Sequence, residues 1–136
     1  MSGTATSENL VLDSVFGGVA LSMPGQWFVG LSTSTPTEAG ANFTEPSSGA
    51  YARVAVTNNL TNFPSAVNGS KTNGTAITFP ESTTSWGTIT YIGFFNLASG
   101  GSLYYYEALP VSKAVAANTT VYFSIGSLTL SNLNAG

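Results

Sequence analysis

The segment Thr88 to Asn96, TITYIGFFN, is apolar on both of its faces, and this limits the fold more than any other stretch. A strand with one wet face alternates, whereas a strand apolar on both faces must be central and covered from each side. Ser99-Gly100-Gly101 then turns the chain, and Ser102 to Leu109 (SLYYYEAL) returns as a hairpin partner. Further strands are expected at Gln26–Ser32, with Trp27, Val29 and Leu31 on one face, and at Tyr51–Thr57, with Ala52, Val54 and Val56 together. Thr75–Phe79 (closed by Pro80), Thr120–Ile125 and Ser127–Leu130 complete the set. Residues 33–50 and 58–74 are polar and aperiodic and read as long loops, the second carrying the turn steps Asn68-Gly69 and Asn73-Gly74. The expected fold is all-β, an antiparallel β-sandwich or jelly-roll-like barrel of about seven strands, with a short N-terminal α-helix.

That helix lies in an N-terminal arm, residues 1–25, ahead of the sandwich domain at 26–136. Ser7 reads as its N-cap, and Glu8 falls in the first turn, where the helix dipole favours an acid. Leu12, Val15 and Phe16 fall at i, i+3 and i+4 beside Val11, and Gly17-Gly18 supplies the stop. So short a helix is marginal alone in water, so its apolar stripe needs a surface. The stripe either docks on the chain's own sheet or reaches a neighbouring subunit.

The chemistry available is narrow. The chain has 136 residues, no histidine, no cysteine, one aspartate (Asp13) and 7% charged residues. Proton transfer, metal ligation and covalent attack draw on the residue types it lacks, so no catalytic residue, cofactor or metal is expected. Glu38, Glu45, Glu81 and Glu107 show no spacing that pairs them as a glycosidase would need. Net charge is −3 and the cations Arg53, Lys71 and Lys113 are isolated, which argues against nucleic acid or an anionic membrane. No apolar run reaches membrane-spanning length. Met1 to Ser7 lacks the basic and apolar regions of a signal peptide, so none is expected. Arg53 is the only arginine, sits mid-strand and should have a specific partner; Glu45 is the nearest acid upstream. In a regular strand Tyr104 and Tyr106 face opposite to Tyr105, so one set should lie outside the core, where tyrosines serve protein contacts, pack beside the core or line sugar sites. Five Asn-x-Ser/Thr triplets, at Asn42, Asn59, Asn68, Asn73 and Asn118, reflect the abundance of these residues or mark glycosylation.

Several strings together resemble a family of small phage virion proteins often labelled tail fibre proteins. They are ENLVLDSVFGG, WFVGLSTSTPTEAG, TEPSSGAYARVAVTNN and NGTAITFPESTTSWGTITYIGFFNLASGGSLYYYEAL, then the SLTL strand, across roughly residues 8 to 130. The Phe94-Phe95 and Tyr104–Tyr106 segments are more aromatic than is usual there. The resemblance implies a virion structural protein with a β-sandwich core. A compact domain with an arm and no repetitive shaft suggests a capsid cement (decoration) protein on the head surface, bridging major capsid subunits and self-associating. Leu12, Val15, Phe16, Arg53, Tyr104 and Tyr106 are then the candidate interface residues. The other readings are a tail-fibre or baseplate module contacting the host surface, and, from the asparagine triplets alone, a secreted β-sandwich glycoprotein.

Overall fold

The computed structural model describes residues 2–131. In chain order the elements are strand β1 (Ser2–Gly3), helix α1 (Ala5–Gly17), and strands β2 (Gln26–Ser32), β3 (Val54–Thr57), β4 (Lys71–Thr72) and β5 (Ile77–Thr78). Then come β6 (Gly87–Phe95), β7 (Leu103–Val115), β8 (Tyr122–Phe123) and β9 (Thr129–Leu130). The fold is all-β and sandwich-like, with one helix. Its main layer is a five-stranded antiparallel sheet ordered β1-β7-β6-β2-β3, so the doubly apolar β6 is the middle strand. In place of a second full sheet stand two antiparallel ribbons, β4–β9 and β5–β8.

The ribbons cover one face of the main sheet. Val29, Leu31, Ile92, Phe94 and Tyr105 from that face form a single buried cluster with Ile77, Phe79, Val121, Phe123 and Leu128 from the ribbons and their flanks. The opposite face is built differently. Gly30 of β2 lies directly across from Gly93 of β6, leaving a flat gap in the sheet. The loop 33–53 crosses this gap and lays Phe43, Glu45 and Tyr51 over it. A methyl group at Gly93 would stand 2.5 Å from Phe43 Cε2 and 2.8 Å from Leu103 Cδ1, and one at Gly30 would stand 2.9 Å from Glu45 Oε2. Two small residues therefore admit the loop to the sheet.

Several element boundaries differ from the sequence expectation, each for a physical reason. The strand expected over 51–57 pairs only over Val54–Thr57, because the Tyr51 hydroxyl takes the Leu31 N–H at 2.9 Å, beyond the last β2–β3 pair. The loop 58–74 contains β4, and the expected strands over 75–79, 120–125 and 127–130 shorten to two residues each. Pairs so short carry no readable period. Strand β7 runs to Val115, past Pro110, because the register shifts between Ile89 and Tyr91 and the proline falls in the resulting bulge. Helix α1 begins after Thr4, not Ser7. Its C-terminal stop is as read: Gly18 adopts φ +65° and its N–H bonds Asp13 O.

Gly93→Ala should lower stability by about 1–2 kcal/mol, because Phe43 or Leu103 must give way. Gly25→Ala, where the space is open and φ is not left-handed, should be neutral or slightly stabilising. Thermal melts of the two variants beside the parent check this, and an unchanged melt for Gly93→Ala would refute the account of the glycine pair.

Candidate interaction surface

A second bulge organises the side of the molecule that carries α1. Phe94 pairs with Tyr105 but Phe95 pairs with Leu103, which leaves Tyr104 without a cross-strand partner. Its freed carbonyl accepts from Thr4 N at 2.9 Å and from Ser7 Oγ at 2.7 Å, while Thr4 Oγ1 donates to Leu103 O at 2.6 Å. Thr4 and Ser7 are both buried. These hydroxyls are the root of α1, and they explain why Ser7 is not its cap: its side chain has a better acceptor on β7. Ala5 N also donates to Glu38 O at 2.8 Å. The Glu8 carboxyl hydrogen-bonds that of Glu38; this bond, then burial and the charge of Glu38, raise the Glu8 pKa. Among the described residues Glu8 Oε1 is buried without a partner.

Beyond this root the helix is uncovered. Leu12, Val15 and Phe16 are 55%, 64% and 85% exposed, and Val19 and Leu21 continue the apolar strip. The first of the two expected homes for the stripe, the chain's own sheet, is therefore excluded. The hydroxyl contacts hold only the first turn, so the stripe points past the sheet.

The bulge also corrects the reading of the tyrosines. Strict alternation would put Tyr104 and Tyr106 on one face. With the extra residue, Tyr104 packs edge-on against Trp27 on the core side, ring centroids 5.2 Å apart, while Tyr106 lies across from Gly93 on the other side, near Tyr91 at 6.2 Å. Tyr105 is in the core. Tyr104 and Tyr106 are each half-buried.

Arg53 is held inside the chain, as its rarity suggested. Its Nε and Nη2 donate to the Glu45 carboxylate, with Nη2–Oε1 at 2.7 Å, and Nη1 donates to Leu97 O and Gly100 O, both at 2.8 Å. The guanidinium lies 3.6 Å above the Phe95 ring, and the side chain is only 7% exposed. Tyr51 donates to the other side of Glu45. Burial first, then this hydrogen bond, pushes the Tyr51 phenol far above its ordinary range. The cluster ties loop 33–53 to the β6–β7 turn.

Each asparagine of the triplets has a structural use. Asn42, Asn68 and Asn118 adopt left-handed φ, and the Asn59 side chain accepts from Asn62 N. Asn73 is buried, donates to Thr75 O and Ser124 O, and accepts from Leu128 N. Among the described residues no group of three or more His, Cys, Asp or Glu stands where it could hold a metal ion, and no helix is long and apolar enough to cross a membrane.

Sequence reasoning missed one feature. On the core side of β7 a concavity of about 330 Å³ is walled by Trp27, Phe63, Phe94 and Tyr104, with Lys71 and Asn58 among its lining residues. Its parts come from segments spread along the whole chain, so no local motif announces it.

The family described as "Podophage GP4 fiber I protein gp80" matches residues 2–131 of the chain. No curated protein matches the chain.

Three variants test the geometry. Arg53→Lys should cost about 2 kcal/mol in a denaturation experiment, because an ammonium cannot reproduce the fork to Glu45 together with two carbonyl contacts. Glu107 is half-buried on β7, and desolvation raises its pKa from 4.5 to about 7. The folded state thus binds more protons than the unfolded state between those values, so stability is highest below pH 4.5 and falls as pH rises through 7. After allowance for solvent screening the loss should be about 1 kcal/mol. Melting temperatures at pH 5 and pH 8 should differ accordingly in the parent and less in Glu107→Gln; Glu8, shifted in the same sense, leaves a residual slope that Glu8→Gln removes.

Proposed function

Because this chain belongs to the podophage GP4 fiber I family, we propose that it is a non-enzymatic structural module of a phage tail fibre, fixed to neighbouring virion proteins by its helical arm. The observation that carries this reading is the apolar strip Leu12, Val15 and Phe16, rooted firmly at one end and uncovered along the rest. A strip of that kind in a charge-poor protein is a contact surface, since isolated apolar residues are common on surfaces but contiguous ones mark interfaces. The fibre family favours this reading over a capsid cement protein. The bulk of the sandwich then faces outward, where a fibre module meets the host surface.

The poverty in ionisable side chains supports a structural role. Arg53 serves the internal clasp, so the contacts open to a partner include those of the arm and of half-buried tyrosines such as Tyr106, beside scattered exposed apolar residues such as Val111 and Ile125. Apolar contact of this kind is insensitive to ionic strength, and repetition on a particle multiplies modest contacts.

The triple variant Leu12→Ser, Val15→Ser, Phe16→Ser removes only exposed groups, so its melting temperature should stay within a few degrees of the parent. Particles assembled with it should lose the protein, as measured by mass spectrometry of purified virions. Full incorporation would overturn the role given to the arm.

A further inference from the structure

The concavity beside Tyr104 has the chemistry of a binding site. Its walls are aromatic: Trp27 meets Tyr104 edge-on at 5.2 Å and Phe94 at 6.3 Å, and Phe63 meets Phe94 at 6.4 Å. Trp27 and Tyr104 are half-buried, so each presents ring surface to solvent. No lining residue is an aspartate or glutamate. Lys71 stands among them, its ammonium donating to Phe63 O at 3.2 Å, and among the described residues it has no carboxylate within ion-pair distance. Among the described residues neither the Trp27 indole N–H nor the Tyr104 hydroxyl has a hydrogen-bond partner. The Asn58 amide donates to Pro24 O at 3.0 Å, which leaves its oxygen open to accept.

Each of these features selects a ligand property. Aromatic walls favour a ring with an apolar C–H face. Unpaired N–H and O–H groups favour a ligand dense in hydroxyls, which can use them without leaving polar groups unsatisfied. An unneutralised ammonium in a protein of net charge −3 favours a negative charge on that ring. One lysine is too few for a nucleic-acid backbone, which needs several cations in a row. An apolar side chain from a partner protein would fill the walls but strand Lys71 and the free donors.

We propose that this pocket binds an acidic sugar, a pyranose bearing a carboxylate, with its ring against Trp27 and Tyr104 and its carboxylate on the Lys71 ammonium. The proposal rests on the fibre-module reading, which places the sandwich where it meets the host surface, and it names the ligand class of that contact. Lys71 supplies charge selectivity and Trp27 supplies most of the contact area. The Tyr104 bulge makes the site, because it turns that ring to the core side of β7.

Saturation-transfer NMR and calorimetry with D-glucuronic acid, N-acetylneuraminic acid and the neutral control D-glucose test it. At least one acid should bind saturably and roughly ten-fold more tightly than glucose, the worth of one charge-assisted contact. Lys71→Met should erase that difference, and Trp27→Leu should abolish binding in a protein whose circular dichroism shows it folded. Saturable binding of none of the three probes, equal binding of acid and neutral sugars, or an unaltered preference in Lys71→Met would each overturn the proposal. Virions carrying Lys71→Met should still contain the protein at parental levels. Failure of sugar binding with normal incorporation would therefore strike the ligand assignment alone, whereas failure of the fibre reading shows in the arm variant.

Discussion

The Arg53 guanidinium is the contact on which the two halves of the loop architecture meet. It carries Glu45 on one edge, two carbonyls of the β6–β7 turn on another and the Phe95 ring beneath it. A largely buried ion pair adds little net stability against a well-packed apolar replacement, since desolvation offsets most of the attraction. What it does impose is geometry. The N–H groups lie in one plane, and the path of loop 33–53 over the Gly30–Gly93 gap brings the Glu45 carboxylate to the Nε and Nη2 edge while the β6–β7 turn supplies two carbonyls to Nη1. The long loop, which lacks any period of its own, is held in a single path by this plane and by the two glycines that let it approach.

Where charge is scarce, hydroxyls and amides fix the other joints. Thr4 and Ser7 fasten the helix to β7, Ser82 bonds Ala116 O at 2.6 Å, and the buried Asn73 joins the loop before β5 to the chain between β8 and β9. These are neutral hydrogen bonds, each modest in net worth but expensive to leave half-made. A protein built this way keeps its joints at any ionic strength. The titrating exceptions, Glu107 and Glu8, lie on β7 and in the first turn of α1, so acidity acts on the arm side of the molecule.

How much of this was legible depended on whether a signal was local. Strand β2 was readable from the face shared by Trp27, Val29 and Leu31 and β6 from apolar residues on both of its faces, and the bounds of β2 agree with the sequence reading residue for residue. The Arg53–Glu45 pair was readable for a different reason: with one arginine and few acids, scarcity itself names the partners. The start of α1 was not readable, because the hydroxyl of Ser7 is claimed by a carbonyl nearly a hundred positions away along the chain. The side taken by Tyr104 was hidden likewise, since alternation assumes an unbroken ladder and a bulge leaves no mark in composition. The ribbons β4–β9 and β5–β8 were reduced to two-residue contacts by tertiary packing, below the length at which any period exists.

The Tyr104 bulge joins the two surfaces that matter most. Its carbonyl anchors the arm through Ser7, its ring walls the aromatic pocket, and Ser7 itself lines that pocket. Backbone and side chain of one residue thus serve opposite neighbours. A single extra residue in β7 does what regular pairing cannot: it frees a carbonyl for the helix while turning a ring to the core side. Restoring the regular ladder would close both features at once, because the carbonyl would return to a strand partner and the ring to the opposite face. The arm and the pocket are therefore one structural invention, and neither can be removed by a change in register without removing the other.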